Sequence, residues 1–217
     1  MKLSIVVAIF LIVGGAALFF TPDLNRALFL HINAWFPNRY FWLAVTTLGD
    51  GAVTGCLFYL LFRKHNDFLV KGLIGAILGT IASQGLKKVF SISRPEYTVD
   101  FEGQFHFLAN SMAETNYSMP SGHTLAAFLL GMFVFYSVKL NLFGRVALLF
   151  AMGAVGLSRI ALGVHWPADV LVGAGLGILI GYLCYLLPIR IVDKRKIILV
   201  HLLYLSFVVV LIYKFAF

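Results

Sequence analysis

ADVLVGAGLGILIGYLCYLL, Ala168 to Leu187, is a run of twenty residues with a single charge, Asp169 near its start. About 20 apolar residues at ~1.5 Å rise each cross the ~30 Å hydrocarbon of a bilayer, so the run reads as a transmembrane helix. Stretches of the same kind run from Leu3 to Phe20, Trp42 to Phe62, Phe68 to Leu86, Thr124 to Val138, Arg145 to Gly163 and Ile197 to Tyr213. The Thr124 stretch is short and can borrow residues from Ser121 onward. Seven crossings are therefore expected, although six suffice for the site described below. Composition points the same way: 61% of the 217 residues are hydrophobic and 12% charged, where a soluble domain carries about 25% charge. A core of this size cannot hide so much apolar surface, and the bilayer must take it. The expectation is an all-α polytopic transmembrane bundle forming a single integral membrane domain over 1–217.

Charge sets the orientation. Lys2, Arg63, Lys64, Lys71, Lys139, Arg145, Arg190, Lys194, Arg195 and Lys196 fall on one side of the alternation, ten cations against the two acids Asp67 and Asp193. The other side balances seven cations with seven acids. The basic side should be cytoplasmic, with the N-terminus inside and, given seven spans, the C-terminus outside. The net charge of +8 is distributed in loops between apolar blocks, so nucleic acid is excluded as a partner. Cys56 and Cys184 lie inside apolar segments, where neither a disulfide nor a metal site is expected. The run from Leu3 to Phe20 lacks a small-x-small cleavage site and reads as a retained helix.

Between the spans, Thr21 to Phe41 carries Leu24, Ala27, Leu28 and Trp35 at helical spacing, as in an interfacial amphipathic helix. Glu96 to Met119 reads as a polar outer loop, with Glu96, Asp100, Glu102 and Glu114 on a solvated surface and Phe101, Phe105 and Phe107 among them. Gly173, Gly177 and Gly181 recur every four residues and permit close helix packing.

Three clusters at helix ends on the outer side put polar groups beside membrane helices, where they are costly and tend to be functional. In Ser158-Arg159-x5-His165-x3-Asp169, His165 and Asp169 share a helix face if the helix starts at Trp166-Pro167. Asp169 can then accept the Nδ1 proton of His165 and leave Nε2 as a free nucleophile. In Pro120-Ser121-Gly122-His123, Ser121 can cap the next helix and Gly122 lets a ligand reach unpaired backbone N–H groups, a phosphate cradle. His123 at its rim is placed to protonate a leaving oxygen. In Lys87-x6-Arg94-Pro95, two cations lie seven apart, about two turns if helix persists, and Pro95 ends any helix there. With Arg159 they supply three cations for a dianionic group.

These three motifs, Lys-x6-Arg-Pro, Pro-Ser-Gly-His and Ser-Arg-x5-His-x3-Asp, resemble without substitution the pattern of the type-2 phosphatidic acid phosphatase family, which includes vanadium haloperoxidases and glucose-6-phosphatase. The resemblance covers a motif-bearing core of about 42–187. It implies a six-helix phosphatase core, from which the additional C-terminal span here departs. It further implies that Lys87, Arg94, Ser121, Gly122 and Arg159 hold the phosphoryl oxygens, that His165 attacks phosphorus, that Asp169 orients it, and that His123 protonates the leaving group. The implied enzyme is a metal-independent lipid phosphate phosphohydrolase of the plasma (inner) membrane, active at the periplasmic or exterior face. Its substrates would be undecaprenyl diphosphate, phosphatidylglycerophosphate, phosphatidic acid or a lipid A phosphate. No cofactor is expected, since no acidic cluster suggests divalent ligands, and activity should persist in chelator.

Asp50 falls within an apolar stretch, and an intramembrane acid is a functional candidate; pairing with a cluster cation would give it a supporting role. Lys88 should point away from Lys87's face. His31, His65, His106 and His201 lack partners at informative spacing. Two other functions stand beside the hydrolase: a phosphotransferase passing the same phosphohistidine to another lipid, and a non-enzymatic lipid transporter. The transporter would have no need of His123, His165 and Asp169 together.

Overall fold

The computed structural model describes residues 2–35, 38–98, 105–109 and 117–216. Within them the chain is all-α: α1 Lys2–Phe19, α2 Pro22–Trp35, α3 Arg39–Thr47, α4 Gly51–Phe62, α5 Asn66–Phe90, α6 Gly122–Ser137, α7 Leu142–Ala161, α8 Pro167–Leu186 and α9 Lys194–Ala216. Four helices are long and apolar enough to cross a bilayer alone: α5, α7, α8 and α9. The pairs α1 with α2 and α3 with α4 pass only jointly, bent by 105° and 52°. Among the described residues there are thus four candidate spans, or six if each bent pair is one, and not the seven expected: α9 takes up the seventh apolar stretch, but α6, at 16 residues, is too short to count. The chain is a multi-pass membrane protein.

The stretch from Trp42 to Phe62, expected as one uninterrupted crossing, breaks at Leu48–Asp50. Asp50 is not helical (φ −62°, ψ 137°); its carboxylate caps the N–H groups of Ala52 and Val53 and starts α4. Its charge partner is Lys214 of α9, not a cation of the three clusters. A capping carboxylate competes with helix continuation, which is why the break falls there.

Helix α8 is the axis of the bundle and packs against α1, α5, α6 and α7. In lipid, tails are as apolar as leucine, so association rests on close packing. The glycine stripe supplies it. A Cβ at Gly173 would lie 2.6 Å from the carbonyl oxygen of Ser121, and one at Gly177 2.5 Å from that of Leu125. Only glycine lets the α8 backbone meet α6 this closely, and the contact fixes Ser121 against the start of α8. Bulky residues such as Phe10, Ile81, Phe143 and Phe150 point outward, as a lipid-facing surface requires.

Helix α2 turns sharply away from α1 and exposes Leu24, Ala27 and Trp35, the disposition expected of an interfacial helix. Its opposite face is built from Asn25, Phe29 and Asn33. The Asn33 amide donates to the carbonyls of His106 (2.8 Å), Ala161 (3.0 Å) and Ile160 (3.3 Å), and its oxygen accepts from His106 N–H at 2.6 Å. Asn25 accepts from Ala168 N–H at 3.1 Å. Both cysteines are free thiols. His201 does have partners, Tyr59 (3.0 Å) and Asn66 (3.2 Å), and ties α9 to α4 and α5.

Candidate active site

Four helix ends meet at one end of the bundle: the C-terminus of α5, the N-terminus of α6, the C-terminus of α7 and the N-terminus of α8. The α7–α8 turn is held by its own backbone. Val164 and His165 N–H both donate to the carbonyl of Arg159, at 3.1 and 3.2 Å. Gly163 has φ +80°, and a Cβ there would lie 2.9 Å from the His106 carbonyl oxygen, so the turn requires glycine twice over. Trp166 is the N-cap of α8 and Pro167 follows at the first helical position, the start expected from the sequence.

His165, 2% exposed, sits at the centre. Its Nδ1 lies 3.1 Å from Asp169 Oδ2, and its Nε2 lies 3.4 Å from an Arg94 guanidinium nitrogen. With the proton on Nδ1, the Nε2 lone pair faces the cations. Burial, then the fields of Arg94, Arg159, Lys87 and His123, push the His165 pKa well below the ordinary histidine value. The ring is therefore neutral at pH 7, and the contact with Asp169 is a hydrogen bond to a carboxylate, not an ion pair. Residues from all three clusters thus lie close enough for their fields to reach this one ring.

Arg94 is buried and also donates to the carbonyl of Val164 at 3.0 Å. Burial pushes its guanidinium below its usual range, opposed by Glu96 and Asp169; arginine stays charged regardless. It does not continue α5, as two further helical turns would have required. The helix ends at Phe90, where Ser91 turns left-handed (φ 47°) and its N–H bonds the carbonyl of Lys87. Arg94 is instead delivered by an extended segment that bridges Ser93 to Tyr117. Lys87, on the last turn of α5, faces inward and is buried, while Lys88 is exposed. Arg159 donates to Thr46 Oγ1 at 2.7 Å. Its Nε is buried with no hydrogen-bond partner among the described residues.

Ser121 caps α6, accepting from Thr124 N–H and, at 2.9 Å, from the Thr124 hydroxyl. Its own N–H is committed to the Asp169 carbonyl at 3.0 Å, so it is unavailable to a ligand. The N–H groups of Gly122 and His123, in the first turn, have no acceptor among the described residues and remain for an anion. Asp50 is near enough for its field to reach His123, but it serves α4 and Lys214. Glu96 is half-buried beside Arg94 and does not belong to a solvated surface. Asp100, Phe101, Glu102 and Glu114 lie outside the described residues.

Sequence reasoning missed three groups. The buried Ser118 hydroxyl donates to Asp169 Oδ2 and lies 3.3 Å from His165 Nδ1. Its only sequence signal is its position just before Pro120-Ser121-Gly122-His123. Thr46 steadies Arg159 from α3, and Asn33 pins the end of α7 from α2; neither has any telling spacing to the motifs.

Fold and site together define a polytopic membrane protein with a buried imidazole ringed by cations and an open helix N-terminus. The sequence pattern of the PAP2 superfamily matches residues 68–193, more than half of the chain, and the chain belongs to that superfamily. It is 29% identical over 154 residues to a lipid A 1-phosphatase of Rhizobium etli, covering 61% of this chain and 64% of that protein. It is 44% identical over 129 residues to the bacitracin transport permease protein BcrC of Bacillus licheniformis, covering 58% and 59%. The matched stretch thus spans less than two thirds of each of these two relatives. The crystal structure of Aquifex aeolicus LpxE, 30% identical, superposes with a TM-score of 0.62 over 75% of this chain and 94% of that one. The PAP2-type phosphatidylglycerolphosphate phosphatase of Bacillus subtilis shares the fold, with a TM-score of 0.64 at 21% identity over 88% of this chain and 100% of that one.

Proposed function

We propose that the protein is a lipid phosphate phosphohydrolase working through a phosphohistidine. The observation that carries this reading is the imbalance of charge around His165. Lys87, Arg94 and Arg159 act on one buried ring, and the carboxylate beside it, Asp169, is engaged by His165, Ser118 and the Trp166 N–H. Arg94 and Arg159 both act on Lys87, and Arg94 on Arg159, so the three cations repel one another across the site, which is costly where water is excluded. A bound phosphoryl group, with up to two negative charges, balances them.

The chemistry follows from positions. The phosphoryl oxygens are held by Lys87, Arg94, Arg159 and the N–H groups of Gly122 and His123 at the start of α6. Neutral His165 attacks phosphorus through Nε2 while Asp169 keeps the proton on Nδ1 and stabilises the charge that develops. His123 takes up the proton of the incoming monoanionic phosphate ester, and as the P–O bond to the lipid breaks it gives that proton to the departing oxygen. Water then attacks the phosphohistidine, with His123 taking its proton, and releases inorganic phosphate. Such a transfer demands mainly positioning and charge neutralisation, which the cations provide.

Names of relatives supply the substrate class: a lipid A phosphate and a phosphatidylglycerolphosphate are both phosphates on lipids. The deciding assay is phosphate release by purified protein, in chelator, from a panel of lipid mono- and diphosphates. Release from at least one member, abolished (at least about 10³-fold) in a folded His165→Ala variant, is expected. Turnover retained in that variant overturns the mechanism. Release that requires an added acceptor lipid identifies a phosphotransferase instead.

A further inference from the structure

Below the rim formed by Gly122 and His123, a cavity of about 270 Å³ runs between α4, α5, α6 and α9. On α6 its lining extends from Gly122 to Leu130, about 12 Å of helix at ~1.5 Å per residue. Its lining is predominantly apolar. The far end is closed by Phe58 and Tyr204, whose rings stack at 6.0 Å, and Tyr204 is anchored by a hydrogen bond to the Leu69 carbonyl at 3.0 Å. Phe207 forms the α9 wall one turn nearer the rim. Ala76 and Thr80 of α5 line the same cavity and are exposed, so it opens sideways towards the bilayer.

A gap of this size is unusual in a packed bundle, because its walls forgo dispersion contacts. Here it is continuous with the phosphate site through His123, the residue that faces the leaving oxygen. Whatever hangs from that oxygen must therefore pass into the cavity or collide with its walls. Its outer wall is also fixed. Helix α9 is tied near one end by His201 to Tyr59 and Asn66, and near the other by Lys214 to Asp50.

We infer that this cavity receives the first stretch of the hydrocarbon chain next to the phosphate, and that Phe207 and Tyr204 of α9 set which chains fit. The inference rests on the phosphohydrolase reading. The occupant is a flexible alkyl or prenyl chain: the lining is apolar, the far end is closed, and the side opening lets the remainder of a longer chain continue into lipid.

The test offers the purified chain three compounds in detergent: butyl phosphate, which is too short to fill the cavity, dodecyl phosphate, and branched farnesyl phosphate. Ala76→Trp places an indole at the exposed mouth, where folding does not depend on the side chain. It should raise KM for dodecyl phosphate about tenfold and that for butyl phosphate by less than twofold. Phe207→Ala widens the cavity and should raise the kcat/KM ratio of farnesyl over dodecyl phosphate at least threefold. The inference is overturned if both variants change all three substrates in parallel, or if neither changes any. Should the unaltered protein release phosphate neither from these three nor from any other lipid phosphate, the phosphohydrolase reading itself fails, an outcome distinct from loss of chain selectivity alone.

Discussion

Three donors converge on a single oxygen of Asp169: the ring of His165, the hydroxyl of Ser118 and the N–H of Trp166. Its other oxygen, Oδ1, is buried without a partner among the described residues. The carboxylate is therefore oriented by what surrounds Oδ2, and Ser118 is the part of that clamp which neither reacts nor belongs to the turn. A Ser118→Ala variant loses one hydrogen bond to a charged acceptor, about 1.5–3 kcal/mol, in a place where it orients the proposed nucleophile, His165. We expect kcat to fall by about tenfold or more with KM little changed, while Ser118→Thr, which keeps the hydroxyl, recovers most of the rate. Equal losses in both variants would instead indicate a packing role. The imidazole itself gives a second expectation. Its pKa is depressed in the folded protein, so the neutral ring persists as pH falls below the ordinary histidine value and is lost only on passing the lower folded value. Diethyl pyrocarbonate, which needs the neutral ring, should inactivate the unliganded protein with an acid limb clearly below pH 6.5. A limb at or above 6.5 would show that burial and the cations do not act on His165.

At the scale of elements, the helix ends that carry the motifs were legible because their cause is local. Hydropathy marks the spans, Pro167 marks the start of α8, and the four-residue spacing of His165 and Asp169 puts both on one face. What escaped is what depends on contacts far apart in sequence. The α3–α4 break at Asp50 hides inside an apolar run, since the capping geometry that causes it leaves composition unchanged. The end of α5 at Phe90 depends on Ser91 adopting a left-handed conformation, which no glycine announces. Helix α2 looked merely interfacial, because the exposed apolar face dominates the pattern while Asn25 and Asn33 on the other face read as ordinary polar residues. Yet Asn33 makes four hydrogen bonds, to residues 73 to 128 positions away, and holds the end of α7 next to Arg159. Removing it takes a partner from the Ala161 and His106 carbonyls and from the His106 N–H, at about 1–3 kcal/mol for each group left unpaired, while the Ile160 carbonyl keeps the Gly163 N–H. Asn33→Ala should lower the thermal midpoint by several degrees and reduce kcat/KM, although the residue touches no substrate. Melting in detergent and steady-state kinetics on the same preparation would check both. An unchanged midpoint would mean that α2 is not a strut for the catalytic turn.

For the whole molecule, the decisive property is that the two ends of the bundle differ in charge. The site end holds its cations inside, around His165. At the opposite end, beyond the α8 C-terminus, Lys71 donates to the Tyr185 carbonyl at 2.9 Å and Asp67 accepts from Ile191 N–H at 2.7 Å. Arg63, Lys64, Arg190 and Lys194 to Lys196 lie at that end. Cations in short loops stay on the cytoplasmic side, so the proposed orientation turns the catalytic centre outward. Tyr40, 84% exposed near the site end, and Val192, 82% exposed at the other, offer a direct check. With Cys56 and Cys184 replaced by alanine, Tyr40→Cys should react with a membrane-impermeant maleimide in intact cells, and Val192→Cys only after permeabilisation. The reverse pattern would leave the chemistry of His165 untouched but put it on the cytoplasmic leaflet, and the lipid phosphates available to it would be those of that leaflet instead.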